Sequence, residues 1–282
     1  MSSTLPTLCG SMAAHPYRLA VELHNAAYRA LGIDYTFVYF GITDPAAGVA
    51  AIRALSIRGM NVSMPFKSAV MEYLDRIDPA ARAIGAVNTI DNRDGELIGY
   101  NTDYIGAIRA LEEQVDLAGA RVALLGAGGA ARAVAYGLVQ GGARVTIFNR
   151  SLEKAARLAE TFGVEVGGAL DQFSGDKAFD VLVNCTSIGF KAPDKSPVEQ
   201  AQLHRFVQDC SGTLQPVVMD AVFLPPRTRL LTEAAAAGCR TIQGVRMLLH
   251  QACGQVELYT GLEAPLAVME QVIEKEIAAL DS

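Results

Sequence analysis

The stretch Arg121 to Arg150, RVALLGAGGAARAVAYGLVQGGARVTIFNR, carries residue types and spacing suited to holding a dinucleotide. A short apolar run, Arg121 to Leu125, leads into Gly126-x-Gly128-Gly129-x-Ala131. Such a turn gives a tight reversal, a close backbone approach and a small helix-packing residue, and the pyrophosphate rests on the exposed N–H groups that open the next helix. Gly126, Ala127, Gly128, Gly129 and Ala130 are therefore the expected cradle. A helix and a second strand, Arg144 to Phe148, complete half of a dinucleotide-binding βαβ unit. The competing reading is a tight strand-to-helix turn with no ligand.

The end of the second strand bears on which dinucleotide is taken. An NAD site places an acid about twenty residues beyond the first glycine, where it accepts a hydrogen bond from the ribose 2′-OH. Here Asn149, Arg150 and Ser151 stand at that point and the first acid is Glu153. The Arg150 guanidinium fork, two neutral donors and Lys154 a helical turn on suit a 2′-phosphate better than a hydroxyl. NADP is the expected cofactor, with NAD as the second choice. Ser151 can also cap the next helix, leaving Lys154 solvated, while Arg150 still holds the phosphate.

Composition sets the frame. With 282 residues, 51% of them hydrophobic, the chain can bury two cores. A net charge of −6 and a pI near 5.3 give no basic face for nucleic acid. Five cysteines (Cys9, Cys185, Cys210, Cys239 and Cys253) form an odd, widely spaced set without a C-x-x-C pair, as in a reducing compartment. Scattered histidines offer no metal-ligand spacing, so no metal is expected. The opening MSSTLPTLCG lacks a basic, then apolar, leader pattern, and no apolar run approaches a membrane span. The expectation is a cytoplasmic protein, a monomer or homodimer, with neither membrane nor nucleic acid as partner.

The elements that must position these residues read as follows. Thr7 to Gly10, Tyr35 to Phe40 and Gly59 to Val62 are strands, Arg18 to Leu31 is a helix, and Asp44-Pro45 caps another. Val87 to Asp91 and Glu96 to Gly99 form a hairpin around Arg93-Asp94-Gly95. Tyr104 to Glu113 reads as a helix crossing between two lobes. Beyond the second strand come a helix Leu152 to Phe162, a weak strand Val164 to Val166, strands Asp180 to Asn184 and Val217 to Asp220, and a helix Thr228 to Ala237. Two further helices, Val245 to Tyr259 and Pro265 to Leu280, then follow without a further strand pair.

Several strings resemble, in order and spacing, the shikimate dehydrogenase family. They are Asn61-Val62-Ser63-Met64-Pro65-Phe66-Lys67, Gly85-Ala86-Val87-Asn88-Thr89 and Tyr100-Asn101-Thr102-Asp103. The likeness continues through the glycine turn, Asn149-Arg150-Ser151, Asn184 to Gly189, the Asp220 to Leu230 segment and Met247 to Ala252. The resemblance implies an α/β protein with a small N-terminal α/β substrate domain, a Rossmann-type NADP-binding domain and the cleft between them. Residues 1–103 with 245–282 would form the first, and 104–244 the second. It implies an enzyme that interconverts shikimate and 3-dehydroshikimate with NADP.

Under that resemblance the residue types can be weighed against the chemistry. Hydride transfer from a secondary alcohol requires loss of the hydroxyl proton, and the reverse requires its return. Lys67 is the candidate group and Asp103 would orient its amine. A neighbouring carboxylate raises a lysine's proton affinity, whereas a base near neutral pH needs it lowered. Burial would have to offset the pairing, or a charged Lys67 would act by electrostatic stabilisation. Asp103 can equally cap the Tyr104 helix. Ser63, Asn88 and Gln251 match family positions that hydrogen-bond substrate hydroxyls. Thr186, Ser187 and Gly244 are expected on the cofactor side.

Two departures bear on the substrate, a small hydroxylated cyclohexene carboxylate. Most members carry a Ser-x-Ser-Pro segment whose hydroxyls bind the carboxylate, whereas here Gly10 to Arg18 reads GSMAAHPYR before His24-Asn25. Ser11, Tyr17 or Arg18 would have to stand in, Arg18 through a bidentate contact unless it is only the first exposed residue of its helix. The second departure is Phe223, where the family pattern has tyrosine. Both match a shikimate dehydrogenase-like subgroup, so quinate or aminoshikimate, with NAD or NADP, is the alternative. A non-catalytic cofactor-binding regulator is the alternative of another class, and the Lys67 and Asp103 pair argues against it.

Overall fold

The computed structural model describes residues 5–14, 18–175, 179–190, 192–208 and 215–280. Tyr17 and Cys210, both singled out from the sequence, lie outside the described residues. The chain divides into two compact units, Met1–Thr102 with Gln251–Ser282, and Asp103–His250.

In the first unit β1 (Thr7–Ala13), α1 (Arg18–Ala30), β2 (Tyr35–Gly41), α2 (Pro45–Ala54), β3 (Gly59–Val62), β4 (Arg76–Ile77), α3 (Pro79–Ile84), β5 (Thr89–Arg93) and β6 (Glu96–Tyr100) follow in order. They build a mixed six-stranded sheet, β2-β1-β3-β5-β6-β4, in which β1 runs parallel to β2 and β3. Strands β5 and β6 are the expected antiparallel hairpin. Asp94 and Gly95 at its tip both have positive φ, 53° and 96°, which suits the right-handed twist of the flanking strands. The first strand of the hairpin starts later than the sequence suggests. Val87 N–H donates instead to the Lys67 carbonyl at 2.8 Å, so Val87 and Asn88 belong to the loop layer that precedes β5. Met12, Ile52, Met60, Val62, Val87, Ile90 and Leu97 join in one apolar core of this unit.

Asp44 caps α2 by accepting from Ala46 N–H at 2.9 Å, with Pro45 in the first turn. Asp78-Pro79 repeats the device on the short helix α3, which the sequence reading passed over.

In the second unit α4 (Asp103–Glu112), β7 (Arg121–Leu125), α5 (Gly129–Gln140), β8 (Arg144–Phe148), α6 (Leu152–Phe162), β9 (Glu165–Gly168), β10 (Val181–Asn184), α7 (Gln200–Gln208), β11 (Val217–Asp220), α8 (Arg229–Ala237) and β12 (Arg240–Ile242) alternate. All pairings are parallel and the strand order is β9-β8-β7-β10-β11-β12. This is the doubly wound order, in which the chain reverses direction beside its first strand. The four buried runs Val122–Leu125, Val145–Phe148, Val181–Asn184 and Val217–Asp220 form the middle of the sheet, as parallel strands covered on both faces should. Helix α7 and strand β12 were not expected. β12 is a three-residue edge strand that adds to β11 ahead of the last two helices.

Helix α9 (Gly244–Thr260) and helix α10 (Leu266–Leu280) close the chain, and α10 packs on α1. Among the described residues no helix is long and apolar enough to cross a membrane. Cys9, Cys185, Cys239 and Cys253 are free thiols.

Candidate active site

The glycine turn stands at the carboxyl end of β7. Gly126 N–H donates to the Phe148 carbonyl at 2.8 Å, and Cys185 N–H donates to the Leu125 carbonyl at 2.8 Å. These bonds put the first residues after β7, β8 and β10 in one layer. Gly126 has φ +109°, and a Cβ there would lie 3.0 Å from the Cys185 carbonyl carbon, so backbone conformation and neighbours both demand glycine. Gly128 and Gly129 face open space on their Cβ side. Helix α5 starts at Gly129 with Gly128 as its extended N-cap and no side-chain cap bond, leaving its first N–H groups to an anion. Ala127 is half-buried and Ala130 exposed within the same turn.

After β8, Asn149 N–H donates to the Gly168 carbonyl at 3.0 Å, and Asn149 Nδ2 donates to the Ser151 carbonyl at 2.8 Å. Ser151 caps α6, its Oγ accepting from Lys154 N–H at 3.4 Å. Arg150 and Lys154 are exposed. The turn, the open approach over Gly128 and Gly129 and the exposed guanidinium at the end of β8 fit a dinucleotide with a 2′-phosphate.

After β10, Asn184 organises the loop. Its Oδ1 accepts from Thr186 N–H at 2.9 Å and from Thr186 Oγ1 at 2.7 Å. Its Nδ2 donates to Asp220 Oδ1 at 2.9 Å and to the Ile188 carbonyl at 3.3 Å. Asp220 also accepts from Val222 N–H and from the Thr228 hydroxyl, at 3.0 and 2.7 Å. Burial pushes its carboxyl above the usual carboxylate range, with these donors pulling the other way. Thr186 is half-buried and Ser187 exposed at this edge, Phe223 is half-buried after β11, and Gly244 is buried at the start of α9.

In the first unit, Ser63 and Lys67 lie on the loop after β3. Ser63 N–H donates to the Met12 carbonyl at 3.0 Å, and Val62 N–H to the Asn88 carbonyl at 2.7 Å. Together with the Val87 to Lys67 bond, these contacts bring Ser63, Lys67 and Asn88 to one end of the sheet. Ser11 is half-buried in β1, opposite Asn61 of β3. Ser63 is exposed and Lys67 half-buried. Asn88 is fully buried, and its Oδ1 accepts from Thr102 N–H at 2.7 Å and from Thr89 Oγ1 at 2.8 Å. Gln251 is half-buried on α9. Arg18 is the first residue of α1, 84% exposed and paired with Glu22 at 2.5 Å. Asp103 is 6% exposed and opens α4 as the first residue of the second unit.

Thr89, Thr102 and Gln255 were given no role from sequence, yet all three belong to the hydrogen-bond network around Asn88. Thr89 and Thr102 had a signal, their places in the Gly85 to Thr89 and Tyr100 to Asp103 strings; Gln255 had none.

Comparison with known proteins agrees with this geometry. Residues 10–90 match the family model for the shikimate dehydrogenase substrate binding domain, residues 109–210 that for shikimate / quinate 5-dehydrogenase, and residues 244–274 that for the shikimate 5'-dehydrogenase C-terminal domain. A shikimate dehydrogenase (NADP(+)) of Pyrococcus abyssi is 40% identical over 94% of this chain and 95% of its own. A crystal structure of a shikimate dehydrogenase in complex with NADP+ superposes with a TM-score of 0.86 at 35% identity, covering 96% of both chains. The ligand-free 5-ketofructose reductase of a Gluconobacter species gives 0.84 at 37% identity, covering 96% of this chain and 99% of that one. With all three family models matched in order and likeness running along nearly its whole length, the chain belongs to the shikimate dehydrogenase family.

Proposed function

We propose that this chain is an NADP-dependent oxidoreductase that interconverts shikimate and 3-dehydroshikimate. The observation that carries the reading is the near-full-length likeness to a shikimate dehydrogenase (NADP(+)), because the matched models include both the Lys67 and Asn88 segment and the Gly126 turn with Arg150. Residues 1–103 with 245–282 would bind the substrate and residues 104–244 the cofactor, in a cytoplasmic monomer or homodimer.

Gly126 to Ala130 would hold the pyrophosphate, and Asn149, Arg150, Ser151 and Lys154 the 2′-phosphate. Thr186, Ser187 and Gly244 would line the same side. Bound there, NADP+ supplies the hydride acceptor. Ser63, Asn88 and Gln251 hydrogen-bond the ring hydroxyls and fix which carbon is presented. As the alcohol C–H bond breaks and C=O forms, Lys67 takes the hydroxyl proton, and in the reverse direction its ammonium returns it. Asp103 is the acid that the family resemblance assigns to work with Lys67. Ser11 or Arg18 anchors the carboxylate in place of the missing serine pair, and Arg18 must leave Glu22 to do so.

Steady-state reduction of NADP+ with shikimate, quinate and aminoshikimate tests the reading. Turnover is expected with shikimate, and absence of turnover with all three refutes it. A second reading, reduction of another polyhydroxy ketone, is favoured by the absent serine pair together with the likeness to 5-ketofructose reductase. It predicts NADPH oxidation by 5-ketofructose that is faster than shikimate turnover.

A further inference from the structure

Three polar side chains share one rung near the carboxyl end of the first sheet. Ser11 of β1 stands opposite Tyr39 of β2 on one side and opposite Asn61 of β3 on the other. Side chains paired in this way point to the same face. Asn61 is buried and already bonded to Gln255 and Tyr259. The Ser11 and Tyr39 hydroxyls bond to no other side chain among the described residues. Tyr39 is 56% exposed, although Phe37, two residues back on the same face, is 1% exposed.

The helices on this face explain the difference. Helix α1 runs back along β1 and β2, at about 5.4 Å per turn against about 6.6 Å for two strand residues. Tyr28 meets Tyr35 with ring centroids 5.3 Å apart, and His24 stacks on Phe37 at 4.0 Å. The next turn brings Ala20 to the level of Tyr39. A methyl stands there in place of the ring that each earlier turn supplies, which agrees with the exposure of Tyr39. Helix α9 follows β3 in the same manner, with Tyr259 over Gly59 and Gln255 bonded to Asn61. Its next turn puts Gln251 at the level of Ser63, one rung beyond Ser11 and Tyr39.

We propose that Ser11 and Tyr39 together form the hydroxyl pair that binds the substrate carboxylate, taking the part of the Ser-x-Ser segment that this chain lacks. A carboxylate accepts from two O–H donors at once, and such charge-assisted bonds are the stronger kind. In shikimate the carboxylate stands across the ring from the middle hydroxyl. Strand β2 correspondingly lies about 10 Å across the sheet from β3, the strand that leads to Ser63. The inference rests on the shikimate reading and deepens it. It gives the anchor to Ser11 with Tyr39, and leaves Arg18 in its pair with Glu22.

The test uses the full-length protein with Tyr39→Phe, Ser11→Ala and Arg18→Ala, and compares shikimate with its methyl ester. Tyr39→Phe removes one oxygen at an exposed position and keeps the ring. Tyr39→Phe and Ser11→Ala are each expected to raise the KM for shikimate about tenfold, with the KM for NADP+ unchanged and kcat within about twofold. Arg18→Ala should stay within about twofold of the wild type. The ester has lost the carboxylate charge, so its inhibition constant against shikimate should differ by less than about twofold between each variant and the wild type. If Ser11→Ala fails to fold, Tyr39→Phe decides. A Tyr39→Phe variant of wild-type KM, an equal loss with the ester, or an Arg18→Ala effect larger than that of Tyr39→Phe would overturn the hydroxyl pair alone. Absence of shikimate turnover in the wild type would instead overturn the shikimate reading, and the proposal with it.

Discussion

Asn184 and Asp220 stand opposite one another at the carboxyl ends of β10 and β11, joined by an Nδ2 to Oδ1 hydrogen bond of 2.9 Å. Because Asn184 also carries Thr186 and Asp220 also carries Val222 and Thr228, this pair fixes the two loops that follow the strands. Asp220→Ala leaves three donors without their acceptor in a site of zero exposure. The variant is expected to lose about 2–4 kcal/mol of stability. Denaturant unfolding measures this directly, and a loss below the range for surface substitutions contradicts the role given to the pair.

Gly126 has no room for a side chain. Gly126→Ala must keep φ near +109° and place a methyl 3.0 Å from the Cys185 carbonyl carbon. We expect a cost of about 1–3 kcal/mol from backbone strain, together with a rise of at least about tenfold in the Kd for NADP+ as the turn shifts. Calorimetric titration with NADP+ checks the second effect separately from the first.

Much of the second unit was legible in the sequence because its inner strands are short, continuous apolar runs between glycines and loops, the pattern that parallel strands must have. The runs VALL, VTIF, VLVN and VVMD could scarcely be anything else. β12 escaped because Arg-Thr-Ile offers three residues, two of them half-buried, and no alternation. Helix α7 escaped because only Gln202, Leu203 and Phe206 are buried in an otherwise polar segment. The short helix α3 had a readable signal in its Asp78-Pro79 start, the same that marked α2, and in its Gly85 stop. In the site, the glycine turn was visible because local spacing encodes it. The network behind Asn88 was not, since Asn61 and Thr89 meet Gln255 across 194 and 166 residues of sequence. No local pattern records such contacts.

Cofactor choice depends on Arg150, exposed at the end of β8. Arg150→Ala removes a forked cation that matches a phosphate dianion, whereas NAD presents only a hydroxyl there. The KM for NADP+ is expected to rise about 10- to 100-fold while that for NAD+ changes by less than about threefold. Equal effects on the two cofactors would show that Arg150 does not read the 2′ position.

His24 gives the fold a signature in acid. Its ring is stacked on Phe37 at 4.0 Å, its Nδ1 donates to the Ala20 carbonyl at 2.7 Å, and its Nε2 is buried without a partner. Burial holds its pKa down at about 4, against 6.5 for an ordinary histidine. Between those two values the unfolded chain takes up a proton that the native state refuses. Stability therefore falls as pH drops from 6.5 towards 4, by about 3 kcal/mol in all, and levels off below. Asp75 and Asp180, whose carboxyls are held below their usual range by backbone and arginine partners, and Glu113, held down by Arg246 and His250, act lower on the pH scale. His24→Phe should flatten the upper part of that slope in denaturant unfolding as a function of pH. An unchanged slope would mean that His24 is not the group responsible.

In the proposed reaction Lys67 handles the hydroxyl proton as a ring alcohol is oxidised. The most direct measurement is kcat for NADP+ reduction by shikimate in Lys67→Met beside the wild type, with NADP+ affinity measured on the same samples. A fall in kcat of about 10²- to 10⁴-fold at unchanged cofactor affinity is the predicted result. A Lys67→Met enzyme that turns shikimate over at the wild-type rate would contradict it.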